Sequence, residues 1–132
     1  MAAMPNLPPQ VQNQLLQLRQ LQQQAQSVAM QKSQVDSLLH ETEGALAELD
    51  KIGPEETVYR AAGTVLVKAK RDEVKANLAE KKETYALRLK TLERQEERIK
   101  KRGEELQQQI QQSLKAPGAS GTPQGGRKLQ LD

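Results

Sequence analysis

Along most of this chain apolar residues recur at the spacing of a helical seam, and in one short stretch the period changes to alternation. In the N-terminal half, Val11, Leu18, Ala25, Lys32, Leu39 and Leu46 form one column at heptad spacing, and Leu21, Val28, Val35, Thr42 and Leu49 form a second. The offsets between the columns alternate between three and four residues, as in an a/d coiled-coil seam, with only Lys32 and Thr42 interrupting it. In the C-terminal half, Leu78, Tyr85, Leu92, Ile99 and Leu106 make a strong column, and Leu89, Glu96, Gly103 and Ile110 a weaker one. That weakness leads us to expect looser packing toward the C-terminal end of the second helix.

Between the two periodic halves lies Val58-Tyr59-Arg60-Ala61-Ala62-Gly63-Thr64-Val65-Leu66-Val67-Lys68-Ala69-Lys70. Its β-branched and aromatic residues suit a pleated surface, and Gly63 supplies a position free to take positive φ, so the stretch predicts a β-hairpin. The fold class expected is mainly α: a long antiparallel two-helix coiled coil with one β-hairpin between the helices. The first helix is expected over 9–50, the hairpin over 57–70 and the second helix over 73–115. Residues 1–8 form an N-terminal tip, and residues 116–132 a disordered Gly/Pro-rich tail.

Local chemistry sets these limits. Proline is favoured in a first helical turn, so helix 1 starts near Pro8 or Pro9. Gly53 is expected in a left-handed C-terminal cap, with Pro54 disfavouring helix in the residue before it. Asp72 is the expected cap of helix 2, and Pro117 its stop. Gly44 should soften helix 1 without breaking it. At a rise of 1.5 Å per residue each helix is about 65 Å long. Equal arms fold back so that Leu49 lies near Val74, Leu46 near Leu78 and Val11 near Gln112, and the termini meet at the end away from the hairpin.

Composition narrows the function classes. With 36% hydrophobic residues, 28% charged residues and aromatics confined to Tyr59 and Tyr85, the chain cannot fill a globular core, whereas helical arms need none. It has no cysteine, which excludes disulfides and cysteine-based metal or redox chemistry and fits a reducing cytoplasm. No apolar run approaches the roughly 20 residues of a membrane span, and the N-terminus lacks the features of a secretory signal, so a cytoplasmic location is expected. A net charge of +3, evenly mixed, implies no nucleic-acid partner, and the basic run Lys100-Lys101-Arg102 has no aromatics beside it on which bases would stack. There is no phosphate-binding loop and no His or Cys cluster. Neither catalysis nor a metal or other cofactor is expected. His40, the lone histidine, reads as a surface residue.

Two surfaces carry candidate function. A two-stranded hairpin alone is marginal in water, so its missing partners should come from other chains, and the chain reads as an oligomer. Val58, Tyr59, Val65, Leu66 and Val67 are the candidates for packing between subunits, although alternation also lets half of them pack on the adjoining helix ends. Lysines on an exposed strand serve as readily to oppose unwanted edge pairing as to make a contact. At the far end, Leu7, Val11, Leu15, Leu16, Leu18, Leu106, Ile110 and Leu114 exceed what one a/d stripe consumes, since Leu15 and Leu16 cannot both lie on it. Leu7, Val11, Leu15, Leu16, Ile110 and Leu114 are the candidate grip for apolar polypeptide segments; the competing reading is a plain seam with scattered surface leucines.

From Pro9 to Leu114 the chain resembles the β class of prefoldin subunits. The resemblance rests on Gly53-Pro54, the strands Val58-Tyr59-Arg60-Ala61-Ala62-Gly63 and Val65-Leu66-Val67-Lys68, and Leu92-Glu93-Arg94-Gln95-Glu96 in helix 2. It implies a hexameric, nucleotide-independent molecular chaperone of two α-class and four β-class subunits. Its hairpins would join in a β-barrel platform, and its coiled-coil tips would capture unfolded polypeptides and deliver them to a group II chaperonin. The alternative is a homodimeric coiled-coil scaffold or adaptor without chaperone activity, in which the hairpin is dispensable.

Overall fold

The computed structural model describes residues 7–115. Most of the expected N-terminal tip, the stop at Pro117 and the Gly/Pro-rich tail lie outside the described residues. The elements are α1 (Pro9–Asp50), β1 (Thr57–Ala62), β2 (Val65–Lys70) and α2 (Arg71–Lys115), two long helices with a two-stranded antiparallel hairpin between them. Two compact units divide the chain: residues 7–28 with 95–115, and Ala29–Arg94.

In the first unit, α1 begins where proline costs nothing. Pro9 occupies the opening helical position, and the carbonyl of Pro8 accepts the first helical bond from the Gln12 N–H at 3.0 Å. Val11 is fully buried, Val28, Leu106 and Ile110 are nearly so, and Leu18 and Leu21 line one groove with Ile99 and Gly103. Leu106 and Ile110 thus stay in the seam toward the end of α2, while the space beside Gly103 is open. Leu114 and Lys115 in the last turn of α2 are exposed.

In the Ala29–Arg94 unit the seam passes through Val35 and Thr42 on α1 and Leu92 on α2, all buried. Thr42 tolerates burial because its hydroxyl donates to the Leu38 carbonyl at 2.8 Å, so no polar group is left unpaired. Gly44 lies within the continuous helix. Contacts between the helices set an antiparallel register. Lys75 meets Asp50 at 2.7 Å, Lys82 meets Glu43 at 3.8 Å, and Arg71 Nε donates to the Leu49 carbonyl at 2.9 Å. In the first unit Gln14 faces Gln109, the offset expected for Val11 and Gln112.

Two details differ from expectation. Gly53 is not left-handed; among the described residues Gly63 is the glycine with positive φ, at 65°. Instead, α1 ends in a tightened turn, with Lys51 N–H to the Glu48 carbonyl at 3.1 Å and Ile52 N–H to the Leu49 carbonyl at 3.4 Å, and Arg71 Nε is a second, closer donor to that same Leu49 carbonyl. A small turn follows, in which Gly53 N–H donates to Glu56 Oε1 at 3.3 Å and Glu56 N–H to the Gly53 carbonyl at 3.1 Å. In addition, α2 starts at Arg71, directly after β2, so Asp72 lies in its first turn rather than at the cap. There its charge still favours the helix N-terminus.

Candidate assembly and binding surfaces

The hairpin register pairs Thr57 with Lys70, Val58 with Ala69, Tyr59 with Lys68, Arg60 with Val67, Ala61 with Leu66 and Ala62 with Val65. Paired residues share a face and successive ones alternate, so Val58, Val65 and Val67 fall on one face, and Tyr59 and Leu66 on the other. The loop between the strands is Gly63-Thr64, and the positive φ of Gly63 meets no steric cost because it lacks a Cβ. Of the five hairpin candidates only Val58 is half-buried, toward the strand base; Tyr59 is 61% exposed, Val65 57%, Leu66 72% and Val67 39%. Val58 is thus the one that is partly sheltered, and the other four stay exposed.

A two-stranded sheet leaves one edge of each strand unpaired. The chain thus presents, in one place, unpaired backbone donors and acceptors and apolar side chains on both faces of a ribbon. Covering each such side chain is worth about 1.5–3 kcal/mol. Arg60, Lys68 and Lys70 are exposed on the same strands.

The base of the ribbon is tied down electrostatically. Arg71 is largely buried, bonding Leu49 through Nε and Asp72 Oδ1 through Nη1 at 3.1 Å. The hydrogen bond and charge of Lys75, with a smaller contribution from Arg71, hold the Asp50 carboxyl below its ordinary value. The periodic reading did not single out Arg71, although it sits one heptad before Leu78 and so continues that column. On α1, the carbonyl and then the carboxylate of Asp36 raise the His40 imidazole above its ordinary value, Nδ1 lying 2.9 Å from that carbonyl.

The second surface belongs to the unit of residues 7–28 and 95–115. Of its six candidate residues, Val11 and Ile110 are spent on the seam, Leu7 and Leu15 are half-buried, and Leu16 and Leu114 stand exposed at 53% and 55%. The apolar surplus of the sequence therefore reduces to Leu16 and Leu114 on the surface, with Leu7 and Leu15 partly accessible. Elsewhere Met30, Leu38 and Leu87 are also exposed.

The structure adds a residue that the columns did not include. Gln14, one heptad before Leu21, occupies a seam position and is 8% exposed. Its Nε2 donates to Gln109 Oε1 at 3.5 Å, a long bond, and its own Oε1 is buried without a partner. A buried unsatisfied acceptor costs about 1–3 kcal/mol. Polarity hid this seam position, and extending the period by one heptad would have found it.

Among the described residues no helix is long and apolar enough to cross a membrane, and no three His, Cys, Asp or Glu side chains are grouped to hold a metal ion.

Comparison with known proteins agrees with this architecture. A family described as "Prefoldin subunit" matches residues 12–116. The prefoldin subunit beta of Archaeoglobus fulgidus is 54% identical over 111 residues, covering 84% of this chain and 96% of that one. That of Methanococcoides burtonii is 50% identical over 112 residues, covering 85% and 96%. The crystal structure of the prefoldin beta subunit from Thermococcus strain KS-1 superimposes with a TM-score of 0.79 at 44% identity, covering 86% of this chain and all of that one. Matched over most of its length by the family and by these β subunits, the chain belongs to the prefoldin family of chaperone subunits, in its β class.

Proposed function

We propose that this chain is a subunit of a hexameric, nucleotide-independent chaperone that captures unfolded polypeptides at coiled-coil tips and delivers them to a group II chaperonin. The observation that carries the reading is the hairpin: Tyr59, Val65, Leu66 and Val67 are exposed on both faces of a ribbon with unpaired edges. Such a ribbon is stable when strands of other subunits pair with it. Copies of this chain and α-class prefoldin subunits are its partners, four of the former with two of the latter, and no cofactor, nucleic acid or membrane takes part.

Leu16 and Leu114, with the partly accessible Leu7 and Leu15, supply the grip for clients. The surface around them on α1 is built of glutamine, with Arg19 the lone charge between Pro9 and Lys32, so that contact with a client has little dependence on the client's own charge. The test is suppression of aggregation by the assembled complex. Leu16→Ser with Leu114→Ser leaves the mass of the assembly unchanged and weakens suppression several-fold; a double variant that suppresses as well as the parent removes these residues from the grip.

A further inference from the structure

The loop Gly63-Thr64 and the register decide which backbone groups of the hairpin are already used. Ala62 and Val65 flank a two-residue loop, so each bonds the other through both N–H and C=O, and the same holds at every second pair, Arg60 with Val67 and Val58 with Ala69. The N–H and C=O groups of the alternate residues point outward. Thr57, Tyr59 and Ala61 present them along the β1 edge, and Leu66 and Lys68 along the β2 edge.

These edges are chemically unequal. At the β1 edge the residues with free backbone groups are neutral, and Arg60 lies on the opposite face with its backbone bonded to Val67. At the β2 edge Lys68 is exposed, with Lys70 next along the same face, and neither makes an ion pair among the described residues. If two copies of β2 paired edge to edge and antiparallel, one register would set Lys68 against Lys68, and the next would set it against Leu66. Like charges directly opposite destabilise a sheet, and an apolar neighbour offers an ammonium group nothing. No copy relieves this from its own strands: they carry Arg60, Lys68 and Lys70 and no carboxylate, while the nearby acids Glu55, Glu56, Asp72 and Glu73 lie outside them.

We propose that the β2 edge is reserved for a strand of a different chain, one that carries a carboxylate opposite Lys68. Lys68, with Lys70 beside it, excludes a second copy of this chain from that edge and admits the acidic strand. The β1 edge makes no such selection. This inference rests on the assembly proposed above, and it states what the second kind of subunit must offer there.

Charge reversal in the full chain tests it, with native mass spectrometry over a dilution series reading the concentration at which assemblies dissociate. With the α-class subunit present, Lys68→Glu with Lys70→Glu dissociates at a concentration about tenfold higher than wild type, and Lys68→Gln falls between the two. Added salt weakens the wild-type assembly more than the Lys68→Gln assembly. Without that subunit, an equal mixture of wild type and the double reversal assembles at a concentration about tenfold lower than either chain alone, because each supplies the charge that the other's edge lacks.

A double reversal that joins the α-class subunit as tightly as wild type would overturn the proposal. Equal weakening by Lys68→Gln and by the reversal would also overturn it, since packing alone then explains the loss, and so would a mixture no tighter than its components. The mixture needs no α-class subunit. A wild-type chain that ignores that subunit would contradict the hexamer, and the mixture would still decide the role of Lys68.

Discussion

Asp50 is where the residue-scale chemistry is easiest to measure. Lys75 lies 2.7 Å from its carboxylate and, with help from Arg71, holds the carboxyl below its ordinary value. A carboxyl whose folded value is lowered stabilises the fold above its unfolded value, and that contribution disappears as the pH falls through the folded value. The advantage of wild type over Lys75→Met should therefore be full at neutral pH and shrink on acidification below about pH 4. Urea midpoints at a series of pH values give the stability difference, and an NMR titration of the Asp50 carboxyl gives the shift itself, most of which Lys75→Met should remove, leaving the smaller part due to Arg71. A carboxyl that titrates identically in both proteins would mean that the pair makes no contribution in solution.

At the scale of elements, burial separates the leucines that hold the helices from those that do not. Leu106→Ala, at a side chain 1% exposed, should cost about 2–5 kcal/mol, whereas Leu87→Ala, at one 61% exposed, should stay within about 0.5 kcal/mol. Thermal unfolding of the assembled protein followed by circular dichroism at matched concentration checks the contrast; equal losses would contradict the seam assignment.

The same burial explains what could be read before the structure. Apolar residues at heptad spacing gave both helices and their register, because one face of each had to find the other. Alternation around Gly63 gave the hairpin. Gln14 and Arg71 were missed because they occupy seam positions with polar side chains, and only their partners, Gln109 and the Leu49 carbonyl, explain how such groups sit there. Gly53 misled for a related reason: a glycine before a proline suggests a left-handed cap, but Arg71, distant in sequence, supplies a donor at that helix end. The alternation of the strands also could not say which hairpin residues are sheltered, and Val58 is the one that is half-buried.

At the scale of the whole molecule, the account turns on the exposed ribbon. Tyr59, Val65, Leu66 and Val67 in water, beside unpaired strand edges, make the lone chain an incomplete object, and association is what completes it. Family membership says which kind of association to look for, and the hairpin says which residues should make it. A scaffold joined through its helical seam alone would ignore any change in the strands.

The measurement that bears most directly on this claim is native mass spectrometry of the chain, alone and coexpressed with an α-class prefoldin subunit, with Leu66→Asp as the control. The account predicts a complex of two partner chains with four of these, lost when Leu66 carries a charge. A homodimer that forms without the partner and is unchanged by Leu66→Asp would contradict it.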